Sequence, residues 1–197
     1  MIDTYLPLLG FMILMVGTPG PANLIVMLGG AQVGIKSCMG FIAGLILGKI
    51  ALNVFIGFGF AIILSGSPML QQIFKYVSAI YMIGLTIRSW NAKTSQSNLL
   101  GNATHQFKFK LGLIIHPLNP KAWVMSALAW SNFAPQLGSF PVQLLTVVLG
   151  FAICQLFFHS IWCSVGNIIG RTIPNSQNIT RTMVILTVLI VIWAVTL

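Results

Sequence analysis

The stretch GTPGPAN, residues 17–23, interrupts a run that carries no charge from residue 5 to residue 34. An apolar run of that length reads as a membrane helix, which needs roughly 20 residues to cross about 30 Å of hydrocarbon. Proline in a helix interior removes a donor and collides with the carbonyl four residues back, at a cost of about 3 kcal/mol or more. Pro19 and Pro21 together therefore break the helix. The freed carbonyls need partners, and in hydrocarbon a broken backbone persists only where protein or a wet cavity surrounds it. The motif thus predicts an internal site.

Composition agrees with a membrane setting. Of 197 residues, 57% are hydrophobic and 6% charged, far outside the range of soluble globular domains. The net charge of +9 arises because ten Lys and Arg residues face a single acid, Asp3. No dense basic run or basic helical face accompanies it, which excludes nucleic acid as a partner. Cations scattered beside apolar segments follow the rules of membrane insertion, with lipid as the surrounding partner. Cys38, Cys154 and Cys163 show no CxxC spacing and read as packing residues, with no metal site expected. The first segment lacks a basic n-region and a small-residue cleavage site and reads as retained.

Polar and Gly/Pro interruptions divide the chain into six predicted spans, near 5–28, 39–64, 69–87, 111–133, 142–165 and 179–197. The third is the least apolar, because Gln71, Gln72 and Lys75 occupy its first part. Lys36, Arg88, Lys93, Lys108, Lys110, Arg171 and Arg181 fall at alternate connections, whereas 65–68 and 134–141 hold none. The bias of Lys and Arg toward the cytoplasm then places both termini outside. A five-span count would put the cations of 88–110 on the wrong side. Residues 91–106, rich in Ser, Thr, Asn and Gln, read as a cytoplasmic linker between two groups of three spans.

A second interruption, HPLNPKA at 116–122, also places two prolines and an asparagine part-way along the first span of its triplet. Three spans per half is an odd number, so the halves enter the membrane from opposite sides as an inverted repeat, approximately 1–90 and 107–197 of one transmembrane domain. Pro21 and Pro120 are each placed to start a new half-helix, and Asn119 is a suitable N-cap. Such N-termini expose unpaired N–H groups suited to a carboxylate. Lys121 falls in a first helical turn, where a cation is unfavourable unless something negative is near, and an anionic ligand group would supply it.

These elements, with the glycine-rich GFIAGLILGK of the second span and LNPKA in the fourth, resemble the LysE/RhtB family of bacterial amino-acid exporters over nearly the whole chain. The resemblance implies an inner-membrane secondary transporter that moves amino acids or related small metabolites outward, driven by the proton gradient and with no bound cofactor. Two positions depart from it. Lys49 stands where family members commonly have an acid, and His116 where an amide or apolar residue is more usual.

The predicted substrate-binding residues are Pro19, Gly20, Pro21, Asn23, Pro117, Asn119, Pro120 and Lys121, meeting near mid-bilayer in a wet, electropositive pocket. Lys49, Asn53 and His116 are predicted to tune charge or coupling, Lys49 because an intramembrane lysine faces a cavity or a partner and His116 because imidazole titrates near neutral pH. Gly40, Gly44 and Gly48 form a stripe for close helix packing. His159 reads as a core residue, His105 as solvated linker, Lys75 as interfacial, and Gln155 and Asn167 are not decided by sequence. The tryptophans fit interface or packing positions. Enzymatic chemistry is not expected, because catalysis generally draws on carboxylates or clustered His and Cys, whereas the one acid is Asp3 and the histidines are dispersed in the sequence. A non-transporting membrane assembly partner, or an exporter-like protein that has lost coupling, is the alternative that Lys49 keeps open. Association into a homo-oligomer is compatible with either.

Overall fold

The computed structural model describes residues 2–59, 67–91, 94 and 107–196. Most of the predicted 91–106 linker, with Lys93 and His105, and half of the 65–68 connection lie outside them. All regular structure among the described residues is helical: α1 Ile2–Gly17, α2 Pro21–Gly57, α3 Pro68–Ile87, α4 Phe109–Ile115, α5 Pro120–Leu128, a π-turn Ala129–Phe133, a 3₁₀ turn Ala134–Leu137, α6 Phe140–Thr172 and α7 Gln177–Thr196. Both interruptions read from the prolines are present. A proline opens α2 and another opens α5, because its fixed φ and missing N–H suit a first helical position.

Helix α2 is a hairpin. A straight helix would hold positions 29 and 38 roughly 13 Å apart at 1.5 Å per residue, yet a methyl placed on Gly29 would touch the Cys38 sulfur. The chain reverses at Gly34, with φ 76° and ψ 171°, a backbone conformation open to glycine and strained for other residues. The predicted connection between residues 28 and 39 is thereby corrected to this single residue, and Lys36 already belongs to the returning helix. Every residue from 21 to 34 is buried, so the outgoing arm, 21–33, is enclosed by protein. The fifth predicted span, 142–165, is also longer than expected, since α6 continues to Thr172.

The neighbours show how the arms run. Met12 lies against Gly150, Gly17 against Phe158, Met27 against Gly166 and Ala31 against Gly170. Hence α1 and the outgoing arm of α2 form one broken path that follows α6 in the same direction. Likewise Gly44 meets Phe109, Gly48 meets Leu113, Lys49 meets Ala122 and Ser126, and Gly57 meets Trp130, so α4 and α5 form a second broken path along the returning arm, 35–57. Glycines let the backbones touch in both places, as the small-residue stripe anticipates. Gly44 and Gly48 take part, whereas Gly40 has open space around it.

Two apolar clusters fill the interior. One holds Leu45, Ile115 and Cys163, the other Leu52, Ala122 and Cys154. Along each path a group of buried polar side chains falls between the two: Asn23 after Val16, Lys49 between Leu45 and Leu52, His116 and Asn119 between Ile115 and Ala122, and Gln155 and His159 between Cys154 and Cys163. The fold therefore stacks apolar, polar and apolar layers. The outward faces carry exposed Leu14, Phe55, Ile80, Ile153 and Trp193, the surface that lipid covers.

A methyl at Gly166 would collide with the Met27 carbonyl, whereas one at Gly40 meets nothing within 4 Å. Gly166→Ala is expected to cost about 1–3 kcal/mol through overpacking against backbone, measured by denaturant unfolding of the purified protein in micelles. Gly40→Ala should leave the midpoint unchanged or raise it.

Candidate functional site

The site is built from the backbone that the first break releases. The Leu14 carbonyl accepts from the Thr18 amide at 3.1 Å, and the Met15 carbonyl accepts from Thr18 Oγ1 at 3.3 Å. Asn23 Nδ2 donates to the carbonyls of Val16 at 2.8 Å and Thr18 at 2.9 Å. Trp162 Nε1 donates to the Gly17 carbonyl at 3.2 Å. The Gly20 carbonyl begins the next helix by accepting from the Leu24 amide at 3.0 Å. Each consecutive carbonyl of the break thus has a protein partner, as backbone at membrane depth requires.

The Pro19 carbonyl completes this set, and its partner comes from the other break. Lys121 Nζ donates to Pro19 O at 3.2 Å, to Thr18 O at 3.1 Å and to Thr18 Oγ1 at 2.9 Å. The predicted anion beside Lys121 is therefore supplied here by the C-terminal end of α1, whose exposed carbonyls carry the negative half of the helix dipole. Lys121 is held in place by its own turn, where Asn119 Oδ1 accepts from the Lys121 amide at 3.1 Å in the N-cap geometry expected of asparagine. Across this second break Trp123 Nε1 donates to the Pro117 carbonyl at 2.7 Å.

Gly20, Asn23, His116, Asn119 and Lys121 line one shared cavity of about 20 Å³ together with Gln155 and His159. That is room for roughly one water, so the wet pocket expected from the sequence is closed down to that size in this structure. The closure has a physical cause: the side chains that satisfy the broken backbone also occupy the space between the breaks. Pro19, Pro21, Pro117 and Pro120 shape this region without lining the cavity. His116 Nε2 lies 3.4 Å from His159 Nε2 and 3.1 Å from Gln155 Nε2, and His159 Nδ1 lies 3.0 Å from Asn23 Oδ1.

Lys49 and Asn53 lie outside the cavity lining. Lys49 is fully buried, donates to the Ala122 carbonyl at 2.9 Å and to Ser126 Oγ, and lies 4.3 Å from the centre of the Phe151 ring. It joins the returning arm of α2 to α5 and α6 outside the cavity lining. Asn53 is fully buried as well, and its amide has no partner among the described residues.

Sequence reasoning missed His159 as part of the site, left Gln155 undecided, and gave Trp123 and Trp162 no role at the breaks. Gln155 and His159 stand four apart on one helix and so share a face, and that spacing was the available signal. Nothing in the sequence indicates that the face meets Asn23 and His116.

With this geometry in place, the comparisons with known proteins become informative. Residues 13–197 match the family model described as LysE type translocator, and the chain belongs to that family. It is accordingly a transmembrane transporter of amino acids or related compounds, with a small-molecule substrate and a lipid environment. No curated protein and no solved structure matches the chain.

Lys49→Ala should destabilise the protein by about 2–5 kcal/mol, since it empties a fully packed position and strands Ser126. Lys49→Met, which retains most of the volume, should cost less than about 1.5 kcal/mol. Thermal unfolding of both variants in micelles checks the order. Asn23→Ala leaves the buried Val16 carbonyl without its amide donor, whereas Thr18 O keeps Lys121, and an unsatisfied buried group costs roughly 1–3 kcal/mol; the same measurement reads it.

Proposed function

We propose that the chain exports amino acids or related small metabolites across the bacterial inner membrane, by alternating access and coupled to protons. The observation that carries this is the Lys121 bridge, in which a cation from one interrupted helix is held by the open carbonyls of the other. A substrate carboxylate is the natural competitor for that ammonium group, because a charged acceptor binds it more strongly than neutral carbonyls do. Asn23, Asn119 and the backbone of residues 19–21 and 117–120 would complete the binding site, with any substrate ammonium held by carbonyls and amides. The cavity is closed to about the volume of one water, so admitting a substrate requires the two broken paths to part. That separation, alternately toward each side, is the transport step.

The order of the elements supports a six-span, 3+3 inverted repeat within one domain as the frame for this transport. Each half has the same order: a break, a helix opened by proline, a glycine of positive φ at Gly34 or Gly138, a long helix, then a helix of 20 residues. The broken path of each half follows the long helix of the other. Contacts also favour termini that face outward. Ala31 with Gly170, Phe41 with Phe107, and Arg181 with the Trp90 ring gather Lys36, Lys108, Arg171 and Arg181 toward one end. Phe58 with Phe140, and the start of α1 beside Thr146, mark the other, and the bias of cations toward the cytoplasm assigns the first end to the inside.

The fully satisfied Lys49 is what favours the second reading, a membrane partner that does not transport, because no acid takes its place beside the cavity. Counterflow of a radiolabelled amino-acid panel in proteoliposomes, with and without a pH gradient, separates the two. Lys121→Ala is expected to weaken substrate affinity about tenfold or more, the loss of a charge-assisted hydrogen bond. Undiminished counterflow in that variant rules out the carboxylate site, and no counterflow by the wild type over the whole panel favours the non-transporting reading.

A further inference from the structure

The polarity of the hydrogen bonds around the two histidines can be followed outward from the broken backbone. Asn23 directs its amide hydrogens at two carbonyls, Val16 and Thr18, which fixes its orientation and leaves Oδ1 as an acceptor. His159 Nδ1, 3.0 Å from that oxygen, must therefore carry a hydrogen. In the neutral ring Nε2 then holds a lone pair, and it faces His116 Nε2 at 3.4 Å. His116 is held less firmly: the Gln155 amide nitrogen lies 3.1 Å from its Nε2 and donates there when that nitrogen carries the lone pair. Its Nδ1 has no partner among the described residues, and neither has the Gln155 amide oxygen, so whichever nitrogen of neutral His116 bears the hydrogen, the other keeps a lone pair able to take one more.

We propose that His116 and His159 constitute a one-proton site where the two broken paths meet, with the exchangeable proton on His116 and His159 held by Asn23 as its acceptor. Uptake converts the neutral pair and one proton into a monocation. In it His116 bears hydrogens on both nitrogens and donates from Nε2 to His159 Nε2, the Gln155 amide turns its unpartnered oxygen toward that N–H in place of its nitrogen, and release reverses both changes. A second proton would set two N–H groups against each other at 3.4 Å and is excluded. The surroundings reinforce that limit. Helix α5 brings Lys121 to the same cavity, the returning arm of α2 brings Lys49, paired with Ala122 and Ser126, and α6 contributes neutral Gln155. The first break supplies Thr18 and Asn23 without charge, and the one acid of the sequence is Asp3. The site provides a proton carrier in an interior where the sequence has no carboxylate. Its part in coupling rests on the transport reading above, whereas occupancy by a proton does not.

The test is a titration of the full-length chain in lipid nanodiscs, with ring-¹⁵N histidine and His105→Gln to remove the linker signal, between about pH 4 and pH 9. The expected result is one step of one proton per chain, in which His116 nitrogens change and His159 Nε2 responds while His159 Nδ1 stays protonated. His159→Gln should move the His116 midpoint by about one pH unit or more, as for two groups that share a site. Independent steps of one proton for each ring, two rings fixed over the whole range, or an unmoved His116 midpoint in His159→Gln would overturn the proposal. Should that variant not fold, the wild-type tautomer pattern decides alone, since hydrogen on His159 Nε2 in place of Nδ1 excludes the site. Absence of proton-driven amino-acid counterflow with the one-proton step intact overturns the transport reading and leaves the site standing.

Discussion

A carbonyl released inside a membrane protein must find a donor, and in this chain a run of such carbonyls is released at one place. The first break leaves Val16, Gly17, Thr18 and Pro19 without helical partners, and their donors are Asn23, Trp162 and Lys121. Two of these come from the second half of the sequence. Satisfying the backbone of one half therefore requires the other half to be present and docked. The position of α5, the rotation of α6 and the closeness of the two breaks all answer to this requirement.

The same constraint organises the interior by layers. Polar side chains that serve the breaks cannot be mixed with aliphatic ones without leaving donors unpaired, so they collect in one stratum between two apolar clusters. Glycine permits the approach this needs: at Gly30, Gly166 and Gly170 on one side, and Gly44, Gly48 and Gly112 on the other, backbone meets backbone. Close contact of this kind gives van der Waals packing the role that hydrophobic burial has in water. Lys49 fits the same logic, with its ammonium on Ala122 and Ser126 and its charge above Phe151. There the lysine is a tie between helices.

Much of this was legible in the sequence because it follows from local rules. Pro19 and Pro21, and Pro117 and Pro120, cannot sit inside continuous helix, and helices open at Pro21 and Pro120. Asn119 caps the second of them as its residue type suggests. The high apolar and low charged fractions, with the long apolar runs, sufficed for a membrane chain. Less legible was where the first connection turns, since a single glycine of positive φ replaces the longer loop that the position of Lys36 suggested. His159 shows the limit most plainly. A histidine alone on an apolar helix reads as core, and its contacts with Asn23, 136 positions earlier, at 3.0 Å and with His116 at 3.4 Å connect it with the site.

Composition and proline placement, then, were enough to determine a helical membrane protein with two interrupted helices, because the cost of a broken hydrogen-bond ladder in hydrocarbon is the same wherever it falls in a sequence. Tertiary structure alone decided that Lys121 answers the carbonyls of the first break, that Lys49 leaves the cavity, and that His116 meets His159. Each of these depends on which donor lies within about 3 Å of which acceptor. That distance is set by how two halves dock, a relation between residues far apart in the chain that no local pattern encodes.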